Sequence, residues 1–134
     1  MTAELELEKL LTAMSPELRE GEYVFSSVTQ EDFDDMQIEP VGWFREVEGI
    51  SLILDRAAAQ RLGLKQSSAY RMISLNVNSS LEAVGFLAAV TEKLAAAGVS
   101  VNAVSAFHHD HLFIPAEKAN LAMSLLNDLA ADAA

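Results

Sequence analysis

The chain has 134 residues, of which 51% are hydrophobic, and carries 20 acidic against 9 basic side chains for a formal net charge of -11, with no cysteine. Such length and apolar content suit one compact domain or two small modules sharing a core, and they exclude intrinsic disorder. The charge excludes nucleic acid and anionic membrane surfaces as partners, and the missing cysteine excludes disulfides and thiolate metal sites.

In chain order, the first residues carry Glu4, Glu6 and Glu8 where a secretory signal needs a basic start and an unbroken apolar stretch. No apolar run reaches the length of a membrane-spanning helix, so a soluble cytoplasmic protein is expected. Leu7, Leu10, Leu11 and Met14 recur at the spacing of one helical face, and Pro16 stops the pattern, which predicts a short amphipathic helix that packs on something else. Residues 23–28 are rich in aromatic and β-branched side chains and predict a strand. "TQEDFDDMQ" after it is acidic and irregular, enough for one helical turn. Glu31, Asp32, Asp34 and Asp35 in that stretch lack the glycine and terminal glutamate of a calcium loop, so a solvated surface is expected there.

"VGWFREVEGISLIL" predicts a hairpin of strands 41–47 and 50–54, turning at Gly49. Trp43 and Phe44 in it suit a core or an interface better than a ligand platform. Asp55 then suits an N-cap, and Gly63 the residue past the end, of a short helix.

The second half repeats this plan with stronger signals. A strand is predicted over residues 69–77, followed by "NSSLEAVGFLAAVTEKLAAAG", in which Ala83, Leu87, Val90 and Leu94 share one helical face. Ser79 and Glu82 stand at the spacing of a capping box, and Gly98 stands where that helix should end. Residues 99–107 alternate toward a strand, the histidine cluster turns the chain, and residues 112–114 return before Pro115. Ala122, Leu125, Leu126 and Leu129 mark the buried face of a last helix. Each half therefore approximates βαββα, the ferredoxin-like α+β unit in which helices cover one face of an antiparallel sheet. Neither half shows a final strand, so an edge in each must be covered by the other half, by a second chain, or be short and protected.

The stretch "AFHHDHLFIP" is the densest in chemistry-bearing side chains. His109 and His111 lie two apart, on one side of an extended strand, with Asp110 facing the other way. With no cysteine and no histidine outside this cluster, a third or fourth ligand would have to come from His108, a carboxylate or another subunit, so no metal is expected. A His109–Asp110 catalytic pair is disfavoured because neighbouring strand residues point apart and no motif places a serine nucleophile beside them. The cluster is then either a structural turn or a ligand-contacting loop.

Residues 74–115, "SLNVNSSLEAVGFLAAVTEKLAAAGVSVNAVSAFHHDHLFIP", resemble an ACT domain, and more narrowly the small bacterial proteins with two ACT-like units whose second unit carries a His-Asp-His motif. Residues 44–54, "FREVEGISLIL", extend the resemblance more loosely into the first half. The division expected is residues 1–66, an N-terminal helix with a looser ACT-like unit, and residues 67–134, a second ACT-like unit. The resemblance implies a non-catalytic regulatory module that binds an amino acid or similar small metabolite without a cofactor and acts on a separate enzyme, with a homodimer expected from the unfilled edges.

Residues for such a site can be named. A strand running into a helix through "NVNSSLEAVG" presents free N–H groups and the positive end of the helix dipole, which suits a carboxylate. Asn76, Asn78, Ser79, Ser80, Leu81, Val84, Gly85 and Phe86 form that junction, and His108, His109 and Asp110 the facing turn, with Asp110 or backbone carbonyls available to an ammonium group. The ligand is expected between the two units. Each residue also has a plainer role: caps and turns for the serines and asparagines, and helix packing for Gly85. The alternative function is a protein–protein assembly module whose sheet edges pair with another subunit and which binds no ligand.

Overall fold

The computed structural model describes residues 3–78 and 80–134, and the chain divides into two compact units, Gly21–Tyr70 and Met1–Glu20 with Arg71–Ala134. Among the described residues no helix is long and apolar enough to cross a membrane.

In the unit Gly21–Tyr70, β2 (Tyr23–Val28) lies beside β4 (Ile50–Asp55), and β4 pairs on its other side with β3 (Gly42–Arg45), all antiparallel. Alternation decides the faces: Ile50, Leu52 and Leu54 are buried with Val24 and Val28, while the residues between them are not. Two short helices cover that face. α2 (Gln30–Asp35) is capped by Thr29, whose Oγ1 accepts from the Asp32 N–H at 3.0 Å, and α3 (Arg56–Arg61) by Asp55, whose carboxylate accepts from the Ala57 N–H at 2.8 Å. The β3–β4 turn needs Gly49: its φ is 149°, and a Cβ there would sit 2.8 Å from the Val28 carbonyl oxygen.

The expected gap at this unit's edge is filled. Residues 66–70 run along the free side of β2: Gln66 bridges Ser26, the Ser67 N–H donates to the Phe25 carbonyl at 2.9 Å, and Tyr70 pairs with Tyr23. The segment covers that edge with one isolated bridge and one ladder pair without forming a strand of its own, in keeping with the scant β-branched and aromatic content of "LKQSSAY".

In the other unit β5 (Tyr70–Asn76) is followed by α4 (Phe86–Ala96), β6 (Asn102–Ser105), β7 (Asp110–Pro115), a 3₁₀ turn and α5 (Ala119–Asp132). The sheet order is β6-β7-β5. Its fourth strand comes from the start of the chain: β1 (Ser15–Leu18) pairs antiparallel with β5 from Ser15↔Asn76 to Leu18↔Ile73. Ahead of it, α1 (Ala3–Ala13) packs on α4 and α5. By packing, residues 3–20 group with Arg71–Ala134. The cause is the apolar face of α1: Leu11 and Met14 are buried in one cluster with Ile73, Leu75, Phe86, Val90, Leu94, Leu112 and Leu126, and Leu7 and Leu10 pack against it. Pro16 is tolerated in β1 because an edge strand does not need every backbone N–H in a ladder.

One local expectation is corrected. The helix starts at Phe86 and does not include residues 82–85, so Ala83 is exposed in a loop rather than part of the buried helical face. Glu82 does not close a capping box: its N–H donates to Ser80 Oγ at 3.0 Å, and the Ala83 N–H donates to the Ser80 carbonyl at 2.9 Å. Ser79, the expected partner, lies outside the described residues. The turn at residues 80–83 claims donors that a longer helix would use, and Gly85, at φ 89°, takes the N-cap position.

Candidate functional site

Gly85 opens α4 in the left-handed region and offers no side chain to cap it. The first helical bond observed is Ala89 N–H to the Gly85 carbonyl, 2.9 Å, so the amides of the first turn, Phe86 to Ala88, have no intrahelical acceptor. A helix of 11 residues places the positive end of its dipole at the same point.

Opposite it, β7 begins at Asp110, which is only 9% exposed. None of the hydrogen bonds among the described residues ends on its carboxylate. Asp110 lines a cavity of about 170 Å³ together with Ser80, Leu81 and Ala83 of the loop, Phe86 and Leu87 of the first helical turn, and Ser105 and Ala106 at the end of β6. Asp110 and the first turn of α4 thus line one cavity, an arrangement that offers a helix N-terminus to a carboxylate and a hydrogen-bond acceptor to an ammonium group.

The remaining residues singled out in the sequence are placed as follows. Ser80, Leu81, Phe86 and Asp110 meet at the cavity, with Leu81 largely exposed and Phe86 buried. Asn78 faces a wider depression, about 680 Å³, between α1 and residues 77–83. Asn76 is engaged at the end of β5, its Nδ2 donating to Glu17 Oε1 at 3.0 Å. Val84 points to solvent, and Gly85 lines neither cavity, a Cβ built there meeting only Leu7 Cδ2 at 3.5 Å. His108 stacks edge-on with the exposed Phe107, ring centroids 5.1 Å apart, and His109 places Nδ1 3.2 Å from the Val77 carbonyl, anchoring the start of the loop. Sequence inspection missed Ala83, Leu87, Ser105 and Ala106 as lining residues. Ala83 and Leu87 carried a signal, as members of the expected helical face, and Ser105 and Ala106 carried none.

His111 and Ser74 form a second polar feature of this unit. Ser74 is buried and its Oγ lies 2.8 Å from His111 Nδ1, while Arg19 Nη1 donates to the same Oγ at 3.4 Å. With Arg19 donating to it, the serine hydroxyl is free to give its proton to the imidazole, which suits a neutral His111. Burial first, then His109 and Arg19, hold the His111 pKa below the ordinary value of 6.5, against an opposing pull from Asp110. Above 6.5 neither folded nor unfolded chain carries this proton; as pH falls below 6.5 the unfolded chain takes it up first and the fold loses stability. Denaturation midpoints measured from pH 8 to pH 5 should therefore fall on the acid side, and less steeply in a His111→Gln chain. An equal slope in both would assign the loss to other groups. Among the described residues no group of three or more metal-binding side chains is assembled.

The sequence matches the ACT domain family twice, over residues 2–71 and over residues 67–128. No curated protein sequence matches it. Among solved structures, a Vibrio cholerae protein of unknown function, described as a possible transport protein, is 41% identical, with 96% of this chain and 99% of that one covered and a TM-score of 0.84. An Agrobacterium tumefaciens protein is 14% identical over 87% of this chain and 89% of its own, TM-score 0.69. The ligand-free regulatory subunit of aspartate kinase from Thermus thermophilus is 12% identical over 87% of this chain and 99% of its own, TM-score 0.66, a likeness of fold.

Proposed function

The chain belongs to the ACT domain family, and from that premise we propose that it is a regulatory module whose unit Met1–Glu20 with Arg71–Ala134 binds a small α-amino acid. The observation that carries this reading is the cavity that Asp110 and the uncapped first turn of α4 line together. In the proposed complex the ligand carboxylate accepts from the free amides of that turn, and Asp110 accepts from the ammonium group. Ser80, Leu81 and Phe86 surround the remainder of the ligand. Asn76, Asn78, Val84, Gly85, His108 and His109 act on the shape of the loop and turn, with His109 holding Val77. The module works without a cofactor, in the cytoplasm, and passes the binding event to a separate enzyme, in keeping with its likeness of fold to a protein that is itself a regulatory subunit.

Calorimetric titration with the common amino acids tests the site. Asp110→Asn should weaken the best ligand by roughly 10- to 100-fold, the range expected for loss of one hydrogen bond to a charged group. The corresponding carboxylic acid lacking the amine should be affected far less. An amino acid whose affinity ignores the substitution places binding elsewhere.

The assembly reading draws on one observation of its own. All four residues of β6, the end strand of its sheet, are exposed, and Phe107 beyond it is 79% exposed. A chain that binds no amino acid in the titrations yet dimerises with concentration in light scattering would favour that reading, with a second copy on the β6 edge.

A further inference from the structure

In the unit Gly21–Tyr70, β3 is an end strand: β4 takes one of its sides and, among the described residues, no strand takes the other. The register settles which backbone groups are left over. Glu46 and Gly49 exchange both of their bonds, N–H to carbonyl, at 2.9 and 3.3 Å. Bonded and non-bonded pairs alternate along an antiparallel ladder, so Phe44↔Ser51 is the next bonded pair, and the N–H and C=O groups of Trp43 and Arg45 turn outward. Groups so placed are the start of a ladder for another extended chain.

The side chains along that edge are apolar. Phe44 is 71% exposed and Val47 fully so, and Val41 and Trp43 are about half-exposed. Single apolar side chains on a surface need no explanation, whereas a run of them along one free edge forms a patch. Trp43 and Phe44 lie on opposite faces of β3. The Trp43 face is also charged: its ring lies 5.1 Å from that of Phe33 in α2, Arg45 Nε donates to Gln30 Oε1 at 3.2 Å, and Gln30 Nε2 donates to Asp34 Oδ1 at 2.8 Å. The carboxylates of α2 therefore stand beside the edge. Arg45 is the only basic residue between positions 30 and 50, against seven acidic ones.

These carboxylates choose between occupants. A second copy would bring the same acidic residues and a chain charge of -11, and like charges facing across an interface cost affinity. A segment carrying basic residues meets opposite charge instead. We propose that the β3 edge is a docking strand for an extended segment of a partner protein in which apolar and basic residues alternate. The backbone of the segment pairs with Trp43 and Arg45, its apolar side chains pack on Phe44, and its lysines or arginines lie on the Trp43 face toward Asp34. The proposal does not depend on the amino-acid reading.

Trp43 is the sole tryptophan of the chain, so its fluorescence reports on the edge directly. The probe is a synthetic decapeptide of alternating valine and lysine, titrated against the full chain at low salt, with a valine and glutamate decapeptide as its control. The basic peptide should give a saturable change in emission that weakens as salt is raised, and the acidic one should give none. Arg45→Pro removes one outward N–H and leaves the β3–β4 ladder whole, a place where an edge strand accepts proline. It should weaken the basic peptide about 10-fold, while Arg45→Ala, which removes the same positive charge, should not. Glu39→Lys combined with Glu48→Lys should weaken it about 5-fold or more. Equal binding of the acidic peptide overturns the proposal, as does a basic peptide indifferent to Arg45→Pro in a chain shown by circular dichroism to be folded. Absence of any response to the basic peptide overturns it too. Light scattering that shows a dimer for the unaltered chain and a monomer for Arg45→Pro would assign the edge to a second copy, with the same consequence.

Discussion

A chain beginning at residue 21 is expected to lose the packed fold of its second ACT unit. The residues removed include Leu11 and Met14, both buried in the cluster under α4 and α5, and Leu7, Leu10 and Leu18, which pack against it. Burial of a leucine or methionine side chain contributes about 1.5–3 kcal/mol, so Leu11 and Met14 together account for about 3–6 kcal/mol, and a domain's whole stability is about 5–15 kcal/mol. The truncation also strips β5 of its partner from Ser15↔Asn76 to Leu18↔Ile73 and exposes an apolar edge that invites aggregation. Amide exchange is the suitable measurement. Protection over Phe86–Ala96 and Asp110–Pro115 should collapse toward that of an unfolded chain. Native-like protection there would show that residues 1–20 decorate the unit and are not part of its core.

Leu94→Ala is the second large effect. Leu94 is 0% exposed, on the face of α4 turned into the same cluster, and the neighbours around it come from a helix, a sheet and the N-terminal segment that cannot all collapse into the space left. Truncating a leucine in such a place costs about 2–5 kcal/mol, from lost transfer energy and from the cavity. For a unit of this size that lowers the unfolding midpoint by roughly 10 °C or more. Leu81→Ala, at a side chain 67% exposed, should change it by no more than about 0.5 kcal/mol. Scanning calorimetry of the two variants separates them. Similar midpoints would mean that α4 is not seated on this core.

The two substitutions also show which parts of the molecule were legible beforehand. Leu94, Val90, Leu126 and Ala122 were picked out as core by helical spacing alone, and all four are buried. Residues 50–54 were likewise recognisable as a strand, and Asp55 as a cap. The start of α4 was misjudged by several residues, because Ser79 and Glu82 carry the spacing of a capping box while Gly85 and the turn at residues 80–83 hold the chain out of the helix. That correction bears on the candidate site: with the helix beginning at Phe86, the cavity that Asp110 lines is bounded by Phe86 and Leu87 of its first turn and by Ser80, Leu81 and Ala83 of the loop before it.

Local side-chain chemistry therefore determined what each segment is: the amphipathic helices, the alternating strands, the turn glycines and the βαββα order repeated twice. These depend on residues within a few positions of one another, and their periods of 3.6 and 2 are written in the chain itself. Only the tertiary structure decided which segment closes each sheet and which polar groups meet. "SPEL" has little strand propensity and becomes β1 because β5 offers it a ladder and α1 is drawn to the adjacent core. Arg19, Ser74 and His111 stand 55 and 37 positions apart across two of their contacts, and Asp110 meets the first turn of α4 across a cavity. Pairings of that kind are selected by burial and by the cost of leaving buried polar groups unmatched, energies that exist only once the chain has folded.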